Sequence, residues 1–447
     1  MTRVDDLMTR ELERFRAEHP RSLALAEEAR RTLLGGVPMH WMTRWPGGFP
    51  VFADEAKGAR FRDVDGHEYV DLCLGDTGAM TGHAPEPTLR AIAAQAPRGI
   101  TLMLPSEDAL WVGQEMQRRF GLPSWQFALT ATDANRFAIR IARAITGRPK
   151  ILVYNWCYHG TVDETFATLD PQGNVVEREG NIGPPVPLAE TTRVVEFNDV
   201  EGLEHQLAMG DVACVLAEPA LTNIGIVLPA PSFHTELRKL TRDTDTLLII
   251  DETHTLSAGP GGYTRAYGLE PDMLTIGKTI AGGIPAAAYG FSELVAERVQ
   301  AEITDEVADT GGIGGTLAAN VLQFAAMRAT LSEVLTDEAF ARMIALGERF
   351  EAGVQGAIDE NGLPWHVTRL GCRVEYLFHA ERSRTGAQAA AAGDEALDRL
   401  IHLYALNRGI LLTPFHNMAL MSPATTEADV DRHTEVFDEA ARELTAA

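Results

Sequence analysis

The sequence predicts an α/β protein: a large domain with a mainly parallel sheet covered by helices, then a small α+β C-terminal domain joined by an N-terminal segment. Three observations carry this prediction. From about Ser106 to Ala288, short apolar runs alternate with helix-like stretches, the pattern of strand–helix–strand crossovers. Two of these runs, Leu247 to Ile250 and Met273 to Ile276, lead into Asp251-Glu252 and Gly277-Lys278, as central strands do when they deliver side chains to the carboxyl edge of an open sheet. At 447 residues the chain also exceeds what one hydrophobic core usually supports, so a second unit is expected. The expected divisions are 1–85, 86–330 and 331–447.

Taken in order, residues 4–34 place Leu7, Leu12, Phe15, Leu23, Ala29 and Leu33 at helical spacing among charges, which predicts amphipathic helices separated at Pro20. The next phrase, GGVPMHWMTRWPGGFPVF, is too rich in Gly and Pro for a regular element and reads as an irregular arm. Phe52 to Asp71 alternates around Asp65-Gly66, a hairpin signature. A helix is expected over Pro87 to Gln95. Strands are expected at Trp125–Leu129, Lys150–Tyr154, Val212–Ala217, Leu247–Ile250, Met273–Ile276 and Ala286–Phe291. The proline-rich stretch Asp170 to Thr192 reads as an exposed excursion. After Asn320, apolar residues at helical spacing lead to the C-terminal portion, with strands at Arg373–Phe378 and Ile410–Leu412. There the tract from Gly386 begins as a flexible run and becomes a helix capped at Gly409.

A formal charge of −24 offers no electrostatic footprint for nucleic acid or an anionic membrane. The four cysteines show no CxxC spacing, so neither a disulfide framework nor a zinc site is indicated, and no metal is expected. The N-terminus has no long apolar run, which argues against a signal peptide or membrane span and for a cytoplasmic protein. A nicotinamide dehydrogenase fits poorly, because no GxGxxG lies between a strand and a helix.

One carboxylate and one lysine at the ends of adjacent strands form a chemical pair. Lysine amines condense with carbonyls, and a carbonyl cofactor with a ring nitrogen needs an acidic partner there. Singly, an Asp at a strand end or a Gly-Lys turn is ordinary. Together, IIDETHT, EPDMLTIGKTIAGGIPAAAYG and GGTLAAN resemble the class III aminotransferases of pyridoxal phosphate (PLP) fold type I. The resemblance is nearest to the branch around glutamate-1-semialdehyde aminomutase and the β-amino-acid and D-phenylglycine aminotransferases. It implies a PLP enzyme whose Lys278 holds the cofactor and moves the substrate proton, while Asp251 keeps the ring nitrogen protonated.

Further roles are implied residue by residue. Tyr158 of CYHG stacks on the ring; Glu218 of Glu218-Pro219 lies beside the ring hydroxyl, with Asn223 in the loop that follows. Thr253, usually aliphatic in the family, lies against the ring, and His254 stands where several relatives carry Gln. Thr130, Ala131 and Thr132, before the helix NRFAIRIARAIT, suit a phosphate at a helix N-terminus, with Ala131 replacing the glycine of the family's SGTEA. Thr316, after Gly314-Gly315 at the end of the acidic, glycine-rich stretch Asp305 to Gly314, implies a phosphate contact across a homodimer with shared sites. Alternatively, Thr316 caps a helix starting near Leu317. For the substrate carboxylate the candidates are Arg44, Arg373 and, more weakly, His40, with Trp41, Trp45 and Phe49 as pocket walls or as anchors of the arm. The expected activity is ping-pong amino transfer between an amino acid and a 2-oxo acid. An aminomutase or racemase shares every motif, and a cofactor-free scaffold is the reading from another class.

Overall fold

The computed structural model describes residues 2–303 and 310–446, so part of the acidic stretch Asp305 to Gly314, residues 305–309, lies outside the described residues. The chain forms two compact units. The larger comprises Glu86–Asp337 with Ser383–Ala391, and the smaller comprises Met1–Pro85, Glu338–Arg382 and Ala392–Ala447.

The larger unit is built on a seven-stranded sheet. Its spatial order is Ser124–Ala128, Ala287–Phe291, Met273–Ile276, Leu247–Asp251, Val212–Ala217, Lys150–Tyr154 and Thr192–Val195. Ala287–Phe291 alone runs against its neighbours, so the sheet is mainly parallel. The apolar runs are continuous because helices cover both faces of such a sheet: every residue of Val212–Ala217, Leu247–Asp251 and Met273–Ile276 is buried. In register, Asp251 stands beside Thr275 and Ile250 beside Leu274. The strand ending in Asp251 and the strand leading to Lys278 are therefore immediate neighbours. The helix Ala131–Thr146 turns Ala134, Ala138, Ile139 and Ala142 inward, which places its N-terminal end close to these strand ends.

Several details differ from the sequence-based expectations. The excursion Asp170 to Thr192 is partly ordered: Val175–Glu177 pairs with Ala167–Leu169, and its last residue opens the edge strand Thr192–Val195. These strands have three or four residues each, too few for alternation to show. No helix starts near Leu317. Residues 316–319 form a turn, and the helix Val321–Ala329 is capped by Asn320, whose side chain accepts from the Gln323 amide. The alanine-rich start of the Gly386 tract is helical at Gly386–Ala391, and the later helix Glu395–Leu406 is capped at Asn407, two residues before Gly409.

In the smaller unit, helices Arg3–Glu18 and Pro20–Ala29 divide where proline, lacking an amide hydrogen, is accommodated at a first helical position. A meander of Ala53–Lys57, Arg60–Asp63 and Glu68–Asp71 gains a fourth, parallel strand, Ile410–Leu411. A second sheet joins His366–Leu370, Arg373–Leu377 and Met418–Leu420. Among the described residues no helix is long and apolar enough to cross a membrane.

Candidate active site

The strand Leu247–Asp251 delivers a carboxylate that is 4% exposed. Its Oδ2 accepts hydrogen bonds from His159 Nδ1 at 2.9 Å and from Asn135 Nδ2 at 2.8 Å, and its Oδ1 accepts from the Thr253 amide at 3.0 Å. Asn135 is fully used: its amide nitrogen also donates to the His159 carbonyl, and its oxygen accepts from Thr275 Oγ1 at 2.6 Å. Burial opposes ionisation of Asp251, but the hydrogen bond and positive charge of His159 outweigh it and hold the carboxyl below the usual range. For His159, burial favours the neutral ring. Cys157 and the Asp251 carboxylate reverse this and raise its pKa to about 10. The centre is thus an anion with a fixed cationic partner.

The following residue faces the other way. Glu252 is wholly buried and accepts from Thr255 Oγ1 at 2.5 Å and from the amides of Tyr263 at 3.0 Å and Thr264 at 2.5 Å. No cation is among these donors, and burial pushes its carboxyl above the ordinary value. It fastens the turn beyond the strand.

Lys278 opens a 3-10 turn, Lys278–Ala281, in the left-handed region at φ +58°. A non-glycine residue there costs about 1–3 kcal/mol, strain that the surrounding packing must hold. Its amine lies 2.9 Å from His254 Nε2. Gly277 makes this placement possible: a Cβ there would stand 2.9 Å from the Ala131 methyl and 3.0 Å from the Ala131 nitrogen. The lysine turn therefore presses directly on the first turn of helix Ala131–Thr146. Thr130 caps that helix, accepting from the Asp133 amide at 3.1 Å, and leaves first-turn amides directed outward. Thr132 Oγ1 accepts from the Thr161 amide at 3.0 Å, where a Cβ on Gly160 would come within 2.1 Å.

Glu218, 2% exposed at the end of Val212–Ala217, accepts from the Tyr158 amide at 2.9 Å and from Thr222 Oγ1 at 2.7 Å, and so fixes the CYHG turn. Asn223 sits half-buried in the short loop closed by the Leu221–Val227 bridge. Thr253 is buried, and Thr316 is exposed on its turn.

Hydrogen bonds thus join Asp251 to Thr253 and Glu218 to Tyr158, and Gly277, the neighbour of Lys278, packs against Ala131. The substrate candidates belong to the smaller unit. His40 and Arg44 are exposed on the 3-10 segment His40–Arg44. Trp41 is half-buried, with its ring 5.7 Å from that of Phe415. Phe49 packs in the core 4.8 Å from Phe15, as an anchor of the arm. Arg373 is fully buried, 4.0 Å from Asp76.

Sequence reasoning missed His159, Asn135 and Thr275 as parts of the site. Asn135 did leave a trace, as a polar residue on the otherwise apolar inner face of an amphipathic helix.

A family model for class-III aminotransferases matches residues 41–440. A crystal structure of a glutamate-1-semialdehyde-aminomutase from Pseudomonas aeruginosa PAO1 is 53% identical, with a TM-score of 0.97, over 99% of this chain and 98% of that one. A lysine-to-alanine variant of that protein has been solved with PMP. A glutamate-1-semialdehyde 2,1-aminomutase from Persephonella marina is 32% identical over 424 residues, 92% of this chain and 96% of that protein. A β-phenylalanine aminotransferase from Variovorax paradoxus is 26% identical with a TM-score of 0.87, over 98% and 97% of the two chains.

Proposed function

The chain belongs to the class-III aminotransferases, which use PLP, and we propose that it shifts an amino group within one substrate, as an aminomutase does, with Lys278 at the reacting carbon. The observation that carries this reading is the 53% identity to the Pseudomonas aminomutase along nearly the whole of both chains. The sequence alone placed intermolecular amino transfer first. That remains the second reading, supported by the likeness to the β-phenylalanine aminotransferase and by the aromatic contact of Trp41 with Phe415.

The site suits the cofactor. A buried, ionised carboxylate, a lysine amine and a helix N-terminus are the three features that a pyridinium nitrogen, an aldehyde and a phosphate require. Bound PLP supplies a carbonyl that condenses with amines and a protonated ring that draws electrons from the substrate carbon. Asp251, kept anionic by His159, holds the proton on the ring nitrogen. The amides of Ala131 and Thr132, with Thr130, hold the phosphate. Tyr158, Thr253, Glu218 and Asn223 border the ring. The Lys278 amine moves the proton at the substrate carbon, and His254, 2.9 Å away, exchanges protons with that amine. Arg44, with His40 and Trp41 beside it, receives the substrate carboxylate; Arg373, enclosed against Asp76, is the weaker choice.

We further propose a homodimer in which Thr316 reaches the partner's phosphate. Support comes from the exposed apolar run Ile100, Leu102, Met103 and Leu104, a surface of the kind that a second chain covers. Mixing inactive Lys278→Ala and Thr316→Ala chains should restore one intact site per heterodimer. No recovery after verified exchange would remove the shared site.

The deciding experiment supplies glutamate 1-semialdehyde alone. An aminomutase moves the amine from carbon 2 to carbon 1 with the formula unchanged and needs no second substrate. Conversion that begins only when a 2-oxo acid is added would replace this reading with the aminotransferase one. Borohydride reduction and peptide mapping should label Lys278, and a label on any other lysine would end both.

A further inference from the structure

In the smaller unit, the junction between helices Arg3–Glu18 and Pro20–Ala29 meets the hairpin of Arg60–Asp63 and Glu68–Asp71. His19 is 2% exposed at that junction, Asp63 is 1% exposed, and His67 lies half-exposed just past the hairpin turn. One ligand atom from each falls within 4.8 Å of the others. His19 Nε2 is 3.5 Å and His67 Nδ1 3.1 Å from Asp63 Oδ2.

The protons of this cluster do not add up. His19 Nδ1 lies 2.7 Å from the Phe15 carbonyl, which can only accept, so that nitrogen carries the hydrogen. With the hydrogen on Nδ1, the Nε2 lone pair faces the Tyr69 hydroxyl at 2.7 Å. The same hydroxyl is 2.7 Å from Asp63 Oδ2. One hydroxyl hydrogen therefore stands between two acceptors, a buried imidazole nitrogen and a buried carboxylate, and satisfies only one. An excess of lone pairs at one buried point is answered by a cation.

We propose that His19 Nε2, Asp63 Oδ2 and His67 Nδ1 bind a divalent transition cation of the zinc class. The donor set of two imidazoles and a carboxylate suits such an ion. Tetrahedral zinc with bonds of about 2.0–2.1 Å needs ligand atoms roughly 3.3 Å apart, so the two shorter separations already fit. Half-exposed His67 supplies the remaining movement and the path of entry. The outer contacts match as well. A ligating histidine ordinarily donates its other nitrogen to a carbonyl, as His19 does to Phe15, and Asp63 Oδ1 is held by the His67 amide at 2.9 Å. The ion ties the helix junction to the hairpin.

The test uses untagged holoprotein, treated with chelator and titrated with cobalt(II), whose visible bands report tetrahedral nitrogen and oxygen ligation. One equivalent should bind, and zinc should raise the melting temperature. His67→Ala, on an exposed hairpin, should fold normally, weaken binding by at least roughly tenfold and lose the thermal shift. His254→Gln should leave uptake unchanged, which separates this site from the Lys278 cluster. Absence of one-equivalent uptake with no thermal shift would show that an extra proton alone fills the cluster and would overturn the proposal, as would unchanged affinity in His67→Ala.

Discussion

Asp251 and Glu252 are consecutive, both buried, and shifted in opposite directions. Asp251 is surrounded by a charged imidazole and an amide and stays ionised; Glu252 is surrounded by a hydroxyl and two backbone amides, and its proton affinity rises. Burial penalises both charges equally in kind, so the partner decides. A buried carboxylate prepared for chemistry is recognised by the cation held against it, and one that merely braces a turn by the neutral donors that surround it.

The sharpest way to break this comparison is to neutralise each acid in turn. Asp251→Asn keeps the shape but removes the charge facing the ring nitrogen, and kcat should fall by about 10²–10³-fold, on the scale of one preorganised electrostatic contact. If steady-state kinetics show less than a tenfold loss, Asp251 is not the ring partner. Glu252→Gln should leave kcat within a few fold. Its amide nitrogen must face a backbone N–H where an oxygen stood, which costs about 1–3 kcal/mol of folding stability, readable from denaturant unfolding. A large kcat effect without a stability change would reverse the assignment of roles.

The His159–Asp251 pair also sets a pH window. His159 is raised on folding, so its contribution is full below about 6.5, the ordinary imidazole value, and is lost as pH rises through its folded value. That folded value is about 10. Asp251 is lowered, so its contribution is full above about 3.9 and is lost as pH falls through its depressed value. The stability gap between the native protein and His159→Gln should therefore be widest near pH 5–6 and narrow progressively from about pH 6.5 to about pH 10. A gap independent of pH would mean that His159 acts by packing alone. The smallest effect is expected from His254→Gln, which keeps a hydrogen-bonding side chain near the Lys278 amine: roughly tenfold or less in kcat, with an altered pH profile.

The parallel sheet was legible because buried strands are written as unbroken apolar runs: Lys150–Tyr154, Val212–Ala217 and Met273–Ile276 have the predicted bounds. The pairing of Asp251 with Lys278 was legible for the same reason, since each follows such a run and adjacent parallel strands end at the same edge. The edge strand Thr192–Val195 and the hairpin Ala167–Leu169 with Val175–Glu177 were not, being too short for any periodicity.

What only the tertiary structure decided are properties that arise from neighbours distant in sequence. His159 is 92 residues from Asp251, and Asn135 is 116, yet these two choose its charge. The close approach of Gly277 to Ala131, the enclosure of Arg373 and the gathering of His19, Asp63 and Tyr69 are likewise products of packing. A sequence determines which residues can be buried and with what period. The state of an ionisable group depends on which donors and charges surround it once buried, and only the folded chain brings those together.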